Sequence, residues 1–514
     1  MDPVRVSSAE EELHFEFFKN HTADKLPGTF GSSLWNCLII QICSEEPAVL
    51  HAVLGYSAHR RKVLDDISRS RAQTLPDKQE EFMLRHYCKA IDYLKPEFHV
   101  SGTRSIRTAL IACLIFIYLE FLRGNYNHAC EHLQGGTSLL RELRKGTSRT
   151  SATYQISSSG LLSLSQQESI DDFLSNAFAR VQIQVEYSGY RLHPGSAPKV
   201  SQGLPAFQFY SQDEARHYLA KIFEGTSLLA RAFKHGAEAG WPAGYQKIVE
   251  TDQRLTQGAL DTWLMSYNAT IADLTDKKDL YELFGYQMLR LYHTMSDIMV
   301  STCSSQDQSV FDQHNSTFLS IVTQGDTIIS CAASFDNFNK PHANDGWLDA
   351  YTCHRCEWVD VRWMPPLYYT ALKCRDHSIR TQALRLMSSS WRNEKDLEMA
   401  LVVAEEVVRM EEGDFFAMAD YSFDKQTLAN QSNLRIAEPL PEERRFDVVE
   451  MIVHDGDRKS LQIACKKQLN GRVRIVRKSY DEASGTWVAL GHMVPLYDMI
   501  EIAGKSSIGV MEMT

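Results

Sequence analysis

Cys353 and Cys356 flank two residues, and so do Cys374 and His377. Two such pairs together hold the sulfur and nitrogen donors that a tetrahedral zinc ion takes. Cys374, however, continues the helical register of Leu367, Tyr368, Ala371 and Leu372. That register turns its thiol toward a core, where free cysteine behaves as a small hydrophobe. Local spacing of this kind often matches by chance. Core packing is therefore the preferred reading, and no metal is assigned to Cys353, Cys356, Cys374 or His377.

Spacings that carry catalysis are missing from the sequence: there is no phosphate-cradling glycine loop, no dinucleotide fingerprint, no His-Glu-x-x-His helix and no Gly-x-Ser-x-Gly elbow. Catalytic groups can still converge in space. A rival reading as an enzyme with a buried helical pocket in a biosynthetic pathway would draw on His293, Asp297, His354 and Asp360. The carboxylates of Asp455-Gly456-Asp457 read as a hairpin turn. The expectation is a chain that is not an enzyme, with no catalytic, cofactor-binding, DNA-binding or metal residue and no cofactor.

The balance of charge limits the partners. With 54 Lys and Arg against 65 Asp and Glu, the net charge is -11, whereas nucleic-acid affinity rests on cations that neutralise phosphates. The clusters His59-Arg60-Arg61-Lys62, Arg141 to Lys145, and Arg472, Arg474, Arg477 and Lys478 are short and read as solvated faces. The apolar run Ala109 to Leu119, closed by Glu120, is shorter than the roughly 20 residues a bilayer needs. It reads as a buried helix, and no membrane is expected. The first residues lack the basic start and apolar core of a secretory signal. The 11 cysteines lack the density of a disulfide framework, which points to a reducing compartment. The sequons at Asn20, Asn268, Asn315 and Asn430 then read as chance.

The elements that must position these residues are mostly helices. Leu84, Tyr87, Cys88, Ile91 and Leu94 share one helix face, with Arg85, Lys89 and Asp92 between them. Ile106, Leu110, Cys113, Leu114, Ile117 and Phe121 share another, and Ile111, Ile115 and Tyr118 opposite them predict burial nearly all round. Asn127 to Arg144 follows, with Ala129, Leu133, Leu140 and Leu143 inward and Gly146 as its cap. Gly135 and Gly136 inside it point to a close helix crossing rather than a ligand. Ser44, Glu45, Glu46 and Pro47 open an earlier helix with Val49, Leu50, Val53, Leu54 and Tyr56 inward.

Further helices are expected at 170–187, 213–233, 245–272, 280–300, 311–334, 366–373, 378–392 and 397–412. The end differs: 446–453, 472–480 and 487–490 read as strands, with Asn470-Gly471 as a turn. The fold class is mainly α, an irregular multi-helix array of packed αα-hairpins with a small antiparallel β appendage near the C-terminus. Its expected parts are an N-terminal helical part at 1–144, a Ser/Thr-rich flexible connection at 145–169, a helical continuation at 170–435 and the β-containing appendage at 440–514. The aromatic stretch Trp358 to Tyr369 reads as core before ligand cavity.

Several segments together resemble the regulatory domain of fungal zinc binuclear cluster transcription factors. They are Phe30-Gly31-Ser32-Ser33-Leu34-Trp35, Glu46 through Ala52, Tyr87-Cys88-Lys89-Ala90-Ile91, Arg123-Gly124-Asn125-Tyr126 through Gly136, and Pro366 through Asp376 followed by Ile379-Arg380-Thr381-Gln382-Ala383. The resemblance implies a helical transcription-factor-like regulator in the nucleus. It would act through protein partners, a zinc-cluster transcription factor among them, or through a small-molecule effector, on a metabolic or secondary-metabolite gene cluster. The family's six-cysteine cluster has no counterpart here, since the first cysteine is Cys37. Direct sequence-specific binding of nucleic acid is therefore not expected. A helical scaffold without regulatory output is the other alternative.

Overall fold

The computed structural model describes residues 8–23, 39–68, 78–95 and 103–147, seven positions between 170 and 181, then 208–241, 244–277, 280–305, 307–338, 364–390, 395–416, 440–454, 461–469, 472–481, 484–490 and 508–513. They fall into two compact units, the first within Met1–Gln184 and the second within Val185–Cys356 and Val361–Thr514.

The first unit is helical: α1 (Ala9–His21), α2 (Ile40–Cys43), α3 (Pro47–Ser68), α4 (Lys78–Leu94), α5 (Thr103–Arg123) and α6 (Tyr126–Thr147). Ser8 caps α1 by accepting from the Glu11 amide at 3.2 Å. Pro47 is the first residue of α3, where its missing N–H costs no intrahelical bond. Ser44 ends α2 instead of opening α3, its hydroxyl donating to the Gln41 carbonyl at 2.6 Å. Val49, Leu50, Val53, Leu54 and Tyr56 are buried as their spacing predicts. Gly146 falls inside the last turn of α6 rather than beyond it.

Helix α5 runs for 21 residues, longer than its apolar run suggests, so by length and composition it could cross a membrane. Its side chains are instead covered by this unit: Leu110, Ile111, Leu114, Ile115, Phe116, Ile117 and Leu119 are all buried. Along α6, Ala129, Leu133, Leu140 and Leu143 face inward. A Cβ on Gly136 would lie 2.1 Å from Phe178 Cε1 and 3.2 Å from Cys113 Sγ, so this glycine is where a neighbouring ring meets the helix backbone. Gly135 faces open space. The close-approach reading therefore holds for Gly136 alone.

Helix α4 corrects its expected face. Phe82, Met83, His86, Ala90 and Leu94 are buried, whereas Leu84 and Cys88 are exposed. The spacing of Leu84, Cys88 and Ile91 is helical, but a buried histidine lies on the face that packs. Hydrophobicity alone could not assign it.

The second unit contains α7 (Gln212–Ala239), α8 (Tyr245–Lys277), α9 (Leu280–Thr302), a 3-10 turn at Gln308–His314, α10 (Asn315–Phe338), α11 (Met364–Lys373), α12 (His377–Ser390) and α13 (Lys395–Glu412). Ser211 caps α7 by accepting from the Glu214 amide, while Glu214 accepts from the Tyr210 amide at 2.8 Å. Trp263, fully buried, donates to the Ala215 carbonyl at 2.8 Å and so fastens α8 to α7.

An antiparallel sheet completes this unit: β1 (Val448–His454), β2 (Gln462–Leu469), β3 (Arg472–Asp481), β4 (Thr486–Ala489) and β5 (Ile508–Met513), in the order β4-β3-β2-β1-β5. The expected strands correspond to β1, β3 and β4. Strand β2 was obscured by Lys466, Lys467 and Gln468, which break the alternation expected of a strand with one buried face. Lys467 nevertheless points inward and pairs with Glu442 at 2.9 Å and Asp447 at 3.2 Å. The fold is mainly α with a small antiparallel sheet, as the periodicity requires.

Candidate functional site

The first unit holds an unusual polar interior where α1, α3 and α4 meet. His51 on α3 and His86 on α4 face each other with their Nδ1 atoms 3.0 Å apart. Glu11 on α1 brings Oε1 to 3.7 Å from His86 Nε2. Glu11 and His86 are buried. The rings are held by aromatic neighbours, His86 stacked on Phe82 with centroids 4.1 Å apart and His51 on Tyr93 at 5.5 Å. Burial first, then the positive neighbourhood of His51 and Lys89, pushes His86 down to about 4. His51 is lowered as well, again chiefly by burial. Both imidazoles are therefore neutral near pH 7. One Nδ1–H can donate to the other ring, leaving unprotonated nitrogens to accept or ligate.

A second polar chain binds the helices one layer away. Glu80 meets His59 at 3.5 Å, Lys62 at 3.1 Å and Arg123 at 3.4 Å. The His59 hydrogen bond, then Lys62, holds Glu80 at about 2 against the opposing effect of burial. Arg123 also pairs with buried Glu120 at 3.1 Å, which accepts from Asn125 at 2.7 Å. His59 and Arg60 are buried, so this basic run is not the solvated face expected of it. Its charge is used inside the unit.

In the second unit the carbonyls at the end of α11 receive guanidinium groups. Arg445 donates to Leu372 at 2.7 Å, Lys373 at 2.9 Å and Cys374 at 3.3 Å, and Arg380 donates to Ala371 at 2.8 Å. A helix leaves its last carbonyls unpaired, and cations suit that end of the dipole. Glu411 balances both arginines, at 2.6 Å from Arg380 and 2.8 Å from Arg445, and also accepts from the Phe446 amide. Beside this network lies a cavity of about 450 Å³ between α13 and the sheet. Arg409, Arg444, Lys467, Arg474 and Lys478 line it, with Glu411 and Glu443 as its acids. Arg409 and Lys478 both reach Glu406, while Arg474 is exposed.

The residues singled out by spacing take other places. Cys374 is fully buried, its Sγ 3.8 Å from Asn315 Oδ1, and burial pushes its thiol up to about 12. His377 bonds to Glu412 at 2.7 Å and stacks on Phe416. Cys353, Cys356, His354 and Asp360 lie outside the described residues, as do the Ser/Thr-rich connection from 148 to 169 and the turns Asp455-Gly456-Asp457 and Asn470-Gly471.

His293 donates from Nε2 to the Leu260 carbonyl at 3.0 Å, accepts at Nδ1 from Arg290 at 2.7 Å and stacks on Trp263. Asp297 accepts from Gln257 at 2.7 Å. These contacts bind α9 to α8. On α8, Tyr245, Ile248 and Leu255 are exposed and fall on one side of the helix.

Two comparisons bear on identity. Residues 12–216 match the family model described as the fungal specific transcription factor domain. A stretch of 108 residues is 30% identical to the transcription regulator lscL of Purpureocillium lilacinum, covering 21% of this chain and 26% of that protein. The chain thus spans about a quarter of the length of the curated relative it matches. No solved structure matches. The matched region takes in α1 from Glu12 onward and the whole of α2 to α6, including His51 and His86, while Glu11 lies one residue before it. The similarity to the fungal specific transcription factor domain thus extends over residues 12–216 of this chain.

Proposed function

We propose that the chain is a nuclear regulator of transcription that works through protein contacts rather than by reading DNA with these 514 residues. The observation that carries the reading is the family match across residues 12–216. The name of the relative, a transcription regulator, supports the same reading. The charge of -11 disfavours a phosphate-binding surface. The exposed side of α8 at Tyr245, Ile248 and Leu255 offers apolar area for a protein partner, a complete zinc-cluster factor being the one the family suggests. Control of a metabolic gene cluster is the corresponding output.

The test is purification of the tagged chain from its host under gentle conditions, together with binding of the pure chain to promoter DNA. A zinc-cluster factor recovered at constant stoichiometry, with no sequence preference by the pure chain, is the expected result. Tight, salt-resistant binding of one promoter sequence by the chain alone would overturn it.

A small-molecule effector has its own support in the cavity between α13 and the sheet. Its volume of about 450 Å³ lies in the range of sites for small organic ligands. Five cationic side chains around it favour a ligand with carboxylate or phosphate groups. Met410, Phe446 and Val476 give its carbon skeleton a surface. Calorimetry with a panel of organic acids and phosphates tests this, and Arg474→Ala should weaken any anion that binds there.

A further inference from the structure

We propose that Glu11, His51 and His86 bind one divalent transition-metal ion, zinc by donor class, and that this ion ties α1 to α3 and α4. Two imidazoles and a carboxylate are a donor set that zinc accepts. Zinc holds nitrogen about 2.0–2.1 Å away and oxygen about 2.0–2.2 Å away, so donors around one tetrahedral ion stand roughly 3.3 Å apart. His51 and His86 already approach to 3.0 Å, and His86 and Glu11 to 3.7 Å. One donor atom from each of the three lies within 4.8 Å of the other two.

His86 turns Nδ1 toward His51 and Nε2 toward Glu11. A single ion takes one of these nitrogens, and Glu11, on a side chain with three rotatable torsions, closes the remaining distance. A solvent molecule completes four-coordination.

The surroundings fit this role. Both histidines are held neutral near pH 7, the form that ligates without first releasing a proton. Phe82 and Tyr93 fix the ring planes. A Cβ on Gly55 of α3 would come within 3.3 Å of the Met83 carbonyl and 3.8 Å of His86 Cβ, so the two helix backbones run close enough for short imidazole side chains to meet. The three donors come from separate helices, 40 and 35 positions apart in sequence, as read from their numbers. A filled site would therefore cross-link the first unit, and metal binding would become folding free energy.

The experiment uses the full-length chain, with any affinity tag removed and metal stripped by chelator. Zinc is titrated by calorimetry, and cobalt(II) is added as a spectroscopic probe. The expected result is one equivalent of zinc at micromolar affinity or better, with the visible bands of a tetrahedral nitrogen and oxygen site and no intense thiolate charge-transfer band.

His51→Asn and Glu11→Gln should each weaken binding by about 10–100-fold or more while leaving the far-ultraviolet circular dichroism unchanged. His86→Ala should abolish binding, and if that variant does not fold the other two still decide. A double Cys353→Ala, Cys356→Ala variant should bind as the parent does. Absence of zinc binding at about 100 µM, affinity unchanged in His51→Asn and Glu11→Gln, or loss only in the cysteine double variant would each overturn the proposal.

Discussion

Arg445 and Glu411, both almost completely buried, meet at 2.8 Å against the carbonyl end of α11. The pair links the segment entering β1 to α13, while Arg445 covers carbonyls that α11 cannot pair by itself. Because Glu411 also pairs with Arg380, its loss would remove the carboxylate that balances Arg445 and leave Arg380 to Glu412 at 3.2 Å.

Glu411→Gln should destabilise the second unit by about 3–5 kcal/mol, the usual cost of breaking a buried ion pair from one side. Glu405→Gln, on an exposed position of the same helix, should change stability by less than about 0.5 kcal/mol. Urea unfolding followed by tryptophan fluorescence, in which Trp263 reports on this unit, measures both. Equal effects would show that Glu411 is not the balancing charge.

Adjacent glycines should respond in opposite directions. Gly136→Leu places its side chain against Phe178 and should cost about 1–3 kcal/mol through overpacking. Gly135→Ala enters open space on a helix and should stabilise by up to about 1 kcal/mol. Thermal melts of the two variants against the parent suffice.

Acid should weaken the chain in two windows. His86 and His293 are held near 4 by burial, below the value of about 6.5 in an unfolded chain. Between these values the unfolded state binds the extra protons, so stability is intact above about pH 6.5 and falls toward pH 4. Glu80, held at about 2 by His59 and Lys62, adds a loss that begins near pH 4.5 and continues toward pH 2. His86→Asn should flatten the first window for the first unit alone, as read by chemical denaturation between pH 7 and 4.5.

Thiol labelling should separate the cysteines by burial. Cys88 is exposed, whereas burial raises the thiols of Cys43, Cys113 and Cys374, the last two to about 12. Only the thiolate reacts. Alkylation followed by peptide mass spectrometry should modify Cys88 first and these three only on unfolding. Early labelling of Cys374 would argue against its place in the core.

What sequence revealed was what repeats locally. The inward faces of α3 and α6 follow from apolar side chains three and four residues apart, and those residues are buried. Contacts between distant polar residues leave no such trace. Glu11, His51 and His86 carry no short-range spacing, and the signal on α4 was a histidine on the face that also carries Phe82, Met83 and Ala90. On α4 that histidine displaced Leu84 and Cys88 from the core and rotated the face that periodicity assigns. Arg380, Glu411 and Arg445 were equally silent, because the carbonyls they cover appear only once α11 has an end. Lys467 hid β2 because its inward charge is balanced by Glu442, on a separate 3-10 turn, and by Asp447, which immediately precedes β1.

The most direct measurement of the central claim is nascent-transcript sequencing after rapid, degron-driven depletion of the chain in its host. The account predicts that a coherent group of neighbouring genes changes before secondary effects develop, and that restoring the chain reverses the change. Complete depletion with no change in nascent transcription, under conditions where the chain is normally expressed, would contradict it.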